Sequence, residues 1–213
     1  MRKVIIKVCG MREPENIREV ESLDVDLLGF IFYSGSSRYV VDSDESDGVI
    51  RDCAKLKVGV FVNEQLEVIL DRAMRYRLDH IQLHGDETPS LCLELRQHGY
   101  HVIKTFSVSS KDDFAKTDCY ADCCDHYLFD TKCIGYGGSG KRFDWTLLDE
   151  YKGSTPFILS GGLTGDCIDD LRRINHAKFS GIDLNSGFEL SPAVKDVGKL
   201  KDFIGKTRKT IDN

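Results

Sequence analysis

Short apolar stretches alternate along the chain with stretches in which apolar residues recur every third or fourth position. Residues 4–9, 27–33, 57–62, 79–84, 101–107, 126–130, 157–160 and 181–185 are rich in β-branched or aromatic residues. Each runs into Gly, Ser, Asn or Asp, the pattern of a strand. Between them, Leu66, Ile69, Leu70, Ala73 and Met74 fall on one helical stripe, for which Asn63 is the expected cap. Thr88-Pro89 predicts a capped helix start with proline in the first turn, and Gly99 its end. Thr164 is the expected cap of a helix carrying Ile168 and Leu171, and Val194, Val197, Leu200 and Ile204 form a further stripe. The segment after Ser109 is a weak helix at best, and residues 131–142 read as a loop.

One strand and one helix take about 25 residues, a normal repeat for that unit. Eight such units exhaust the 213 residues. This predicts a single α/β domain over 1–213, a (β/α)8 TIM barrel with an irregular loop after the sixth strand. An open doubly wound sheet is the rival. Composition agrees with a globular chain: 41% of residues are hydrophobic, enough to build a core and to exclude disorder. A net charge of −6 offers no footprint for nucleic acid or an anionic membrane surface. Lys7 interrupts the only early apolar run, so no secretory core is expected. Eight cysteines without such a signal point to reduced thiols and a cytoplasmic protein.

Alternate side chains of a strand share a face. On that rule Lys7 lies with Ile5 and Cys9, Gln82 with His84, Lys104 with Val102 and Phe106, Asp130 with Leu128 and His126, and Asp183 with Asn185. These polar residues crowd toward the C-terminal ends of their strands. In a barrel they would point inward and upward, to the catalytic mouth. Individually each has a plain reading: Cys9 a small buried hydrophobe, His84 a structural histidine, Lys104 an ion-pair partner, Asp130 a strand terminator. Burying charge in five strands is costly unless it is paired or used. Cys119, Cys123, Cys124 and Cys133 match no standard zinc spacing, so no metal is expected.

Two glycine loops suit an anion. Ser160-Gly161-Gly162-Leu163-Thr164 follows the seventh strand, and Asn185-Ser186-Gly187-Phe188-Glu189 the eighth. Glycine lets backbone N–H groups approach phosphate, and this is where barrels hold it. Gly161, Gly162, Ser186 and Gly187 are therefore the phosphate candidates. The run Gly137-Gly138-Ser139-Gly140-Lys141 lacks the Walker pattern and is expected to form a mobile flap.

The ordered set of motifs resembles the phosphoribosylanthranilate isomerase family of tryptophan biosynthesis. It comprises Lys7-Val8-Cys9-Gly10, Ser36-Ser37-Arg38-Tyr39-Val40, Val58-Gly59-Val60-Phe61-Val62-Asn63 and Gln82-Leu83-His84-Gly85-Asp86-Glu87 in the first half. Leu128-Phe129-Asp130-Thr131, Gly138-Ser139-Gly140-Lys141 with Phe143-Asp144-Trp145, Leu159-Ser160-Gly161-Gly162-Leu163 and Asp183-Leu184-Asn185-Ser186-Gly187-Phe188-Glu189 complete it. Met11-Arg12 and Phe188 depart from the family's usual residues.

The resemblance implies an Amadori rearrangement of N-(5-phosphoribosyl)anthranilate to the 1-(2-carboxyphenylamino)-1-deoxyribulose phosphate. It implies Asp130 as the acid that opens the furanose ring and Cys9 as the base that takes the proton from the second sugar carbon. Arg38 would bind the anthranilate carboxylate, as a guanidinium suits a carboxylate. Lys7 is expected to favour the Cys9 thiolate or to pair with Asp183. Lys7, Gln82, His84 and Asp183 join the two glycine loops as substrate-binding candidates. No cofactor is expected, because the substrate's imine serves as electron sink. The expected partner is a small phosphorylated substrate, with no nucleic acid or membrane, and the chain is expected to be a monomer or homodimer. The rivals are another phosphosugar barrel isomerase or epimerase, and a barrel that only binds a phosphorylated ligand.

Overall fold

A computed structural model describes residues 3–41, 44–131 and 142–211. Eight parallel strands close into one barrel in sequence order. They are β1 Ile5–Val8, β2 Leu27–Ile31, β3 Leu56–Phe61, β4 His80–Leu83, β5 His101–Val108, β6 His126–Thr131, β7 Phe157–Leu159 and β8 Phe179–Leu184. β1 closes the ring by pairing with β8, Lys7 opposite Asp183. The α-helices around the barrel are α1 Pro14–Glu21, α2 Asp44–Asp52, α3 Leu66–Tyr76, α4 Pro89–Gln97, α5 Ile168–Arg172 and α6 Val197–Ile211. After β5 and β6 the chain makes 3-10 helices instead, at Lys111–Tyr120 and Trp145–Glu150. The weak helical signal after Ser109 is thus a 3-10 helix, opened by a Ser110/Asp113 capping box. After β8, a 3-10 turn at Ser186–Phe188 leads into a hairpin of β9 Glu189–Ser191 and β10 Val194–Lys195. Val194 therefore belongs to the hairpin rather than to the stripe of α6. Among the described residues no helix is long and apolar enough to cross a membrane.

Two capping expectations are corrected. Asn63 does not cap α3: it takes a left-handed φ of 51°, and Gln65 is the N-cap residue. The Asn63 carboxamide instead accepts the Asp86 N–H at 2.7 Å, tying the loops after β3 and β4 together. Thr164 does not cap α5, which begins after Cys167. Thr88 does cap α4, its hydroxyl accepting the Leu91 N–H at 3.4 Å, with Pro89 in the first turn.

The strands read as nearly continuous apolar runs because both faces are buried. Outward residues such as Ile6, Val8, Leu28 and Phe30 pack under the helices. Inward, Leu27, Val58, Ile103, Leu128 and Ile158 make a separate apolar layer, against which Ile5 packs. That layer fills the lower half of the barrel, and the polar inward residues lie above it. At the lower rim three aspartates repeat one clasp. Asp26, Asp79 and Asp125, each just before an even-numbered strand, accept the N–H of Ile6, Lys57 and Val102 on the preceding odd strand at 2.9, 2.7 and 2.8 Å. Each returns its own N–H to the carbonyl of that same residue. The clasps pin register between strand pairs where a parallel sheet has no hairpin to do so.

Candidate active site

A cavity of about 510 Å³ opens at the C-terminal end of the barrel. Cys9 and Asp130 line it from β1 and β6, Gln82 and His84 from β4, and Asp183 from β8. Arg38 enters from the loop after β2, and Gly161, Gly162, Ser186 and Gly187 close the far side. Lys7 lies just beneath, fully buried and outside the lining itself. Residues 132–141, including the expected glycine flap and Cys133, lie outside the described residues.

One expected inward residue faces the other way. Lys104 points outward with Val102 and Phe106, which pack in the layer between sheet and helices, while its neighbour Ile103 joins the inner layer. The Lys104 ammonium donates to Glu87 Oε2 at 3.1 Å and to the Gly85 carbonyl at 2.7 Å. Glu87 in turn accepts the N–H groups of Asn63 and Gly85 at 2.8 and 3.0 Å. This buried pair shapes the loops above β3 and β4 and takes no part in the cavity.

Inside, Lys7 Nζ lies 3.0 Å from both carboxylate oxygens of Asp183. Burial works against the charge of each partner. The Lys7 ammonium is nonetheless held above its ordinary range, by Asp183 first and Cys9 second. Burial pushes the Asp183 carboxyl up, and Lys7 pulls it back. Cys9 continues the β1–β8 ladder, donating its N–H to the Leu184 carbonyl at 2.8 Å. Its thiol fits because β2 carries glycine alongside: a methyl on Gly29 would come within 2.8 Å of Cys9 Sγ and 3.1 Å of Lys7 Nζ. Burial pushes the Cys9 thiol above its usual value. The Lys7 charge lowers it, as the sequence suggests, but not by enough to outweigh burial.

On the opposite wall, His84 Nε2 approaches Asp130 Oδ2 at 3.5 Å, and Asp130 Oδ1 accepts the Thr131 N–H at 2.9 Å. His84 Nδ1 is 3.0 Å from the Gln82 amide nitrogen, which also donates to Thr105 Oγ1 at 3.3 Å. The Gln82 carbonyl oxygen is buried with no hydrogen-bond partner among the described residues.

The two glycine loops meet beside this wall. Gly161 and Gly162 take left-handed φ values of 85° and 67°, open to glycine at little cost. A side chain on Gly161 would strike the Thr131 hydroxyl, and Asp130 Oδ1 and the Thr131 nitrogen at 2.7 Å, so the first phosphate candidate lies directly against the acid candidate and its neighbour. Among the described residues, the N–H groups of Gly161, Gly162, Ser186 and Gly187 find no protein acceptor. Unpaired N–H groups at the rim of a cavity make an anion site.

Sequence reasoning missed the ions around Arg38. The guanidinium donates through Nε and Nη2 to Glu189 at 2.8 and 2.6 Å, and Glu189 also accepts Lys195 Nζ at 2.6 Å. Burial opposes the charge of Glu189, but Arg38 and Lys195 hold its carboxyl below the ordinary range. Glu189 closes the last motif, yet its partners lie 151 residues upstream and in the following strand. Among the described residues no group of three or more His, Cys, Asp or Glu side chains is arranged to hold a metal.

Comparison with known proteins adds the chemistry of relatives. The family model for N-(5'-phosphoribosyl)anthranilate (PRA) isomerase matches residues 6–206. The isomerase of that name from Parabacteroides distasonis is 51% identical over 203 residues, covering 94% of this chain and 92% of the relative. That from Phocaeicola vulgatus is 49% identical, covering 98% of this chain and all of the relative. The crystal structure of the phosphoribosyl anthranilate isomerase from Thermotoga maritima superposes with a TM-score of 0.82 at 33% identity, covering 97% of this chain and all of that one. A phosphoribosyl anthranilate isomerase solved in complex with reduced 1-(o-carboxyphenylamino)-1-deoxyribulose 5-phosphate matches with a TM-score of 0.81 at 30% identity, covering the same shares.

Proposed function

The chain belongs to the phosphoribosylanthranilate isomerase family of tryptophan biosynthesis, and from that premise we propose how its residues divide the work. The isomerase converts an aminoaldose phosphate to an aminoketose phosphate, which requires one proton delivered and one removed. Asp130 gives its proton to the furanose ring oxygen, and the ring opens to the imine. Cys9 takes the proton from the second sugar carbon, and the electron pair moves into the imine to give an enolamine, which tautomerises to the ketone. His84, 3.5 Å from Asp130, orients the carboxyl and reaches the sugar from the same wall. Each positioned acid or base contributes roughly a hundred- to ten-thousand-fold.

The observation that carries this reading is convergence. A thiol, a carboxyl, a guanidinium and two loops of unpaired N–H groups face one cavity. With phosphate on Gly161, Gly162, Ser186 and Gly187, the sugar lies between Cys9 and Asp130, and its aromatic carboxylate reaches Arg38. Glu189 takes the Nε–Nη2 edge of that guanidinium. The Nη1–Nη2 edge is left for a second carboxylate. The reading places the reaction in the cytoplasm, on a free phosphosugar, with the chain acting as a monomer or homodimer.

The test is turnover of phosphoribosylanthranilate generated in place and followed by loss of its fluorescence. Folded Cys9→Ser and Asp130→Asn should each lose orders of magnitude in kcat with smaller changes in KM, because the missing interactions belong to the transition state. Near-normal turnover in either variant removes that residue from its role.

A further inference from the structure

The hairpin that follows β8 brings a compact ion cluster against the first strand. Side-chain exposure is 14% at Arg38, 6% at Glu189 and 0% at Lys195, so the three charges are largely withdrawn from water. Lys195 Nζ bonds Asn185 Oδ1 at 2.7 Å as well as Glu189. Asn16 of α1 clasps the Lys195 backbone, donating to its carbonyl at 3.0 Å and accepting its N–H at 2.7 Å. Gly10, next to Cys9, is the surface on which the cluster rests. A methyl there would lie 2.6 Å from Arg38 Cδ and 2.9 Å from Asn185 Oδ1.

Two cations share one carboxylate in this cluster, leaving one surplus positive charge in a desolvated place. Such a charge is costly until an anion arrives. The substrate's carboxylate and a Cys9 thiolate are the anions this reaction supplies there. We propose that Glu189 is a positioning residue for the isomerisation, fixing the Arg38 guanidinium for the substrate carboxylate and holding Lys195 beside Cys9.

This rests on the reading of Arg38 as carboxylate reader and Cys9 as base. An arginine free to rotate loses rotamer freedom on each binding event, whereas one clamped along a single edge presents the other ready-made. Lys195 reaches the Cys9 end of β1 through Asn185, whose Oδ1 it bonds at 2.7 Å and which lies against Gly10; with Lys7 it is a cation that favours the thiolate. Among the described residues, the charged groups that act most on Cys9 are Lys7 on its own strand, Asp183 next to it on β8 and Lys195 on β10, and Arg38 from the loop after β2 is coupled to it as well. Removing Lys195 therefore leaves the buried Lys7–Asp183 pair intact and takes away one thiolate-favouring charge.

The experiment uses the full chain and three measurements: kcat and KM with phosphoribosylanthranilate, inhibition by inorganic phosphate, and the pH dependence of Cys9 alkylation by iodoacetamide, read on the Cys9 peptide by mass. Glu189→Gln should raise KM about tenfold or more while leaving phosphate inhibition unchanged. Lys195→Met should lower kcat and move the Cys9 alkylation curve to higher pH, and Lys195→Arg should restore much of both. A loss of packing alone would move neither the alkylation curve nor the contrast between substrate and phosphate. If Glu189→Gln does not fold, Glu189→Asp keeps the charge but shortens the arm and should still raise KM. A parental KM in the folded Glu189 variant, with KM raised in Arg38→Met, overturns this inference alone. A parental KM in Arg38→Met overturns the reading beneath it as well. An unmoved alkylation curve in Lys195→Met overturns the placement of Lys195 beside the base.

Discussion

Lys7 and Asp183 stand opposite each other where β1 closes the barrel against β8, with the ammonium 3.0 Å from both carboxylate oxygens, Lys7 fully buried and Asp183 buried but lining the cavity. The pair is a structural seam and, on the proposed reading, a chemical one, since the Lys7 charge lowers the Cys9 thiol against burial. Lys7→Met strands a buried carboxylate and should cost about 3–5 kcal/mol in urea unfolding. Adding Asp183→Leu should return most of that stability without returning turnover. If Lys7→Met unfolds at the parental urea concentration, the pair is not a structural seam.

The pH profile follows from the thiol. A base must be deprotonated to act, and burial holds the Cys9 thiol above its usual value in the free enzyme. The thiolate fraction therefore grows as pH rises, while the acid of the same reading must keep its proton. The expected outcome is Cys9 alkylation climbing from neutral into alkaline conditions, with kcat/KM set by both groups and therefore rising less steeply than alkylation. Alkylation already complete at neutral pH, with no rise above it, would contradict a thiol held up by burial.

Gly161 tests the contact between phosphate loop and acid. Alanine must adopt a φ of 85° and push first against the Thr131 hydroxyl, then against Asp130 Oδ1 and the Thr131 nitrogen, each 2.7 Å away. The backbone cost is about 1–2 kcal/mol, and the collision presses on both residues at the end of β6, the carboxyl among them. Gly161→Ala should raise KM and lower kcat together, whereas Gly162→Val should act mainly on KM. Equal kcat in Gly161→Ala and the parent enzyme would separate the loop from the acid.

At the lower rim, His80 lines an apolar pocket, tilts against His101 with ring centroids 4.9 Å apart, and has a buried Nδ1 with no hydrogen-bond partner among the described residues. Burial, with His101 adding repulsion, lowers its pKa from 6.5 to about 4. Between those values the unfolded chain binds more protons than the folded one, so stability falls as pH drops from 6.5 to 4 and levels off below. His80→Leu should match the parent near pH 7 and exceed it in denaturation midpoint at pH 5. A constant difference between the two proteins across that window would contradict the assignment.

The strands were legible in the sequence because burial on both faces writes long apolar runs, and eight of them at even spacing leave little but a barrel. The same burial hides which face is inside. In β5 every residue from Val102 to Phe106 is buried, so alternation places Lys104 on one face without saying whether that face is the lumen or the helix layer. The motifs carried Cys9, Arg38, Asp130 and the glycine loops because each keeps its chemistry in a short local string. Lys195 has no such string: its partners Asn16 and Asn185 are distant along the chain or across a turn, and only folding brings them together. Asn63 misled for a related reason. A side chain that caps helices also bridges loops, and Asp86 decided between the two uses.

The apolar layer of Leu27, Val58, Ile103, Leu128 and Ile158 has an electrical meaning besides its packing. It stops the barrel from below, so Lys7, Cys9, Asp183 and Asp130 exchange field lines with water only through the mouth. A substrate seated in the mouth, as proposed, covers that opening. Attractions between charges then strengthen severalfold as the surrounding permittivity falls. On the proposed reading, binding works as a dielectric shutter: the ligand that needs its protons moved is also the lid that raises the local field, and the apolar layer beneath is already low in permittivity.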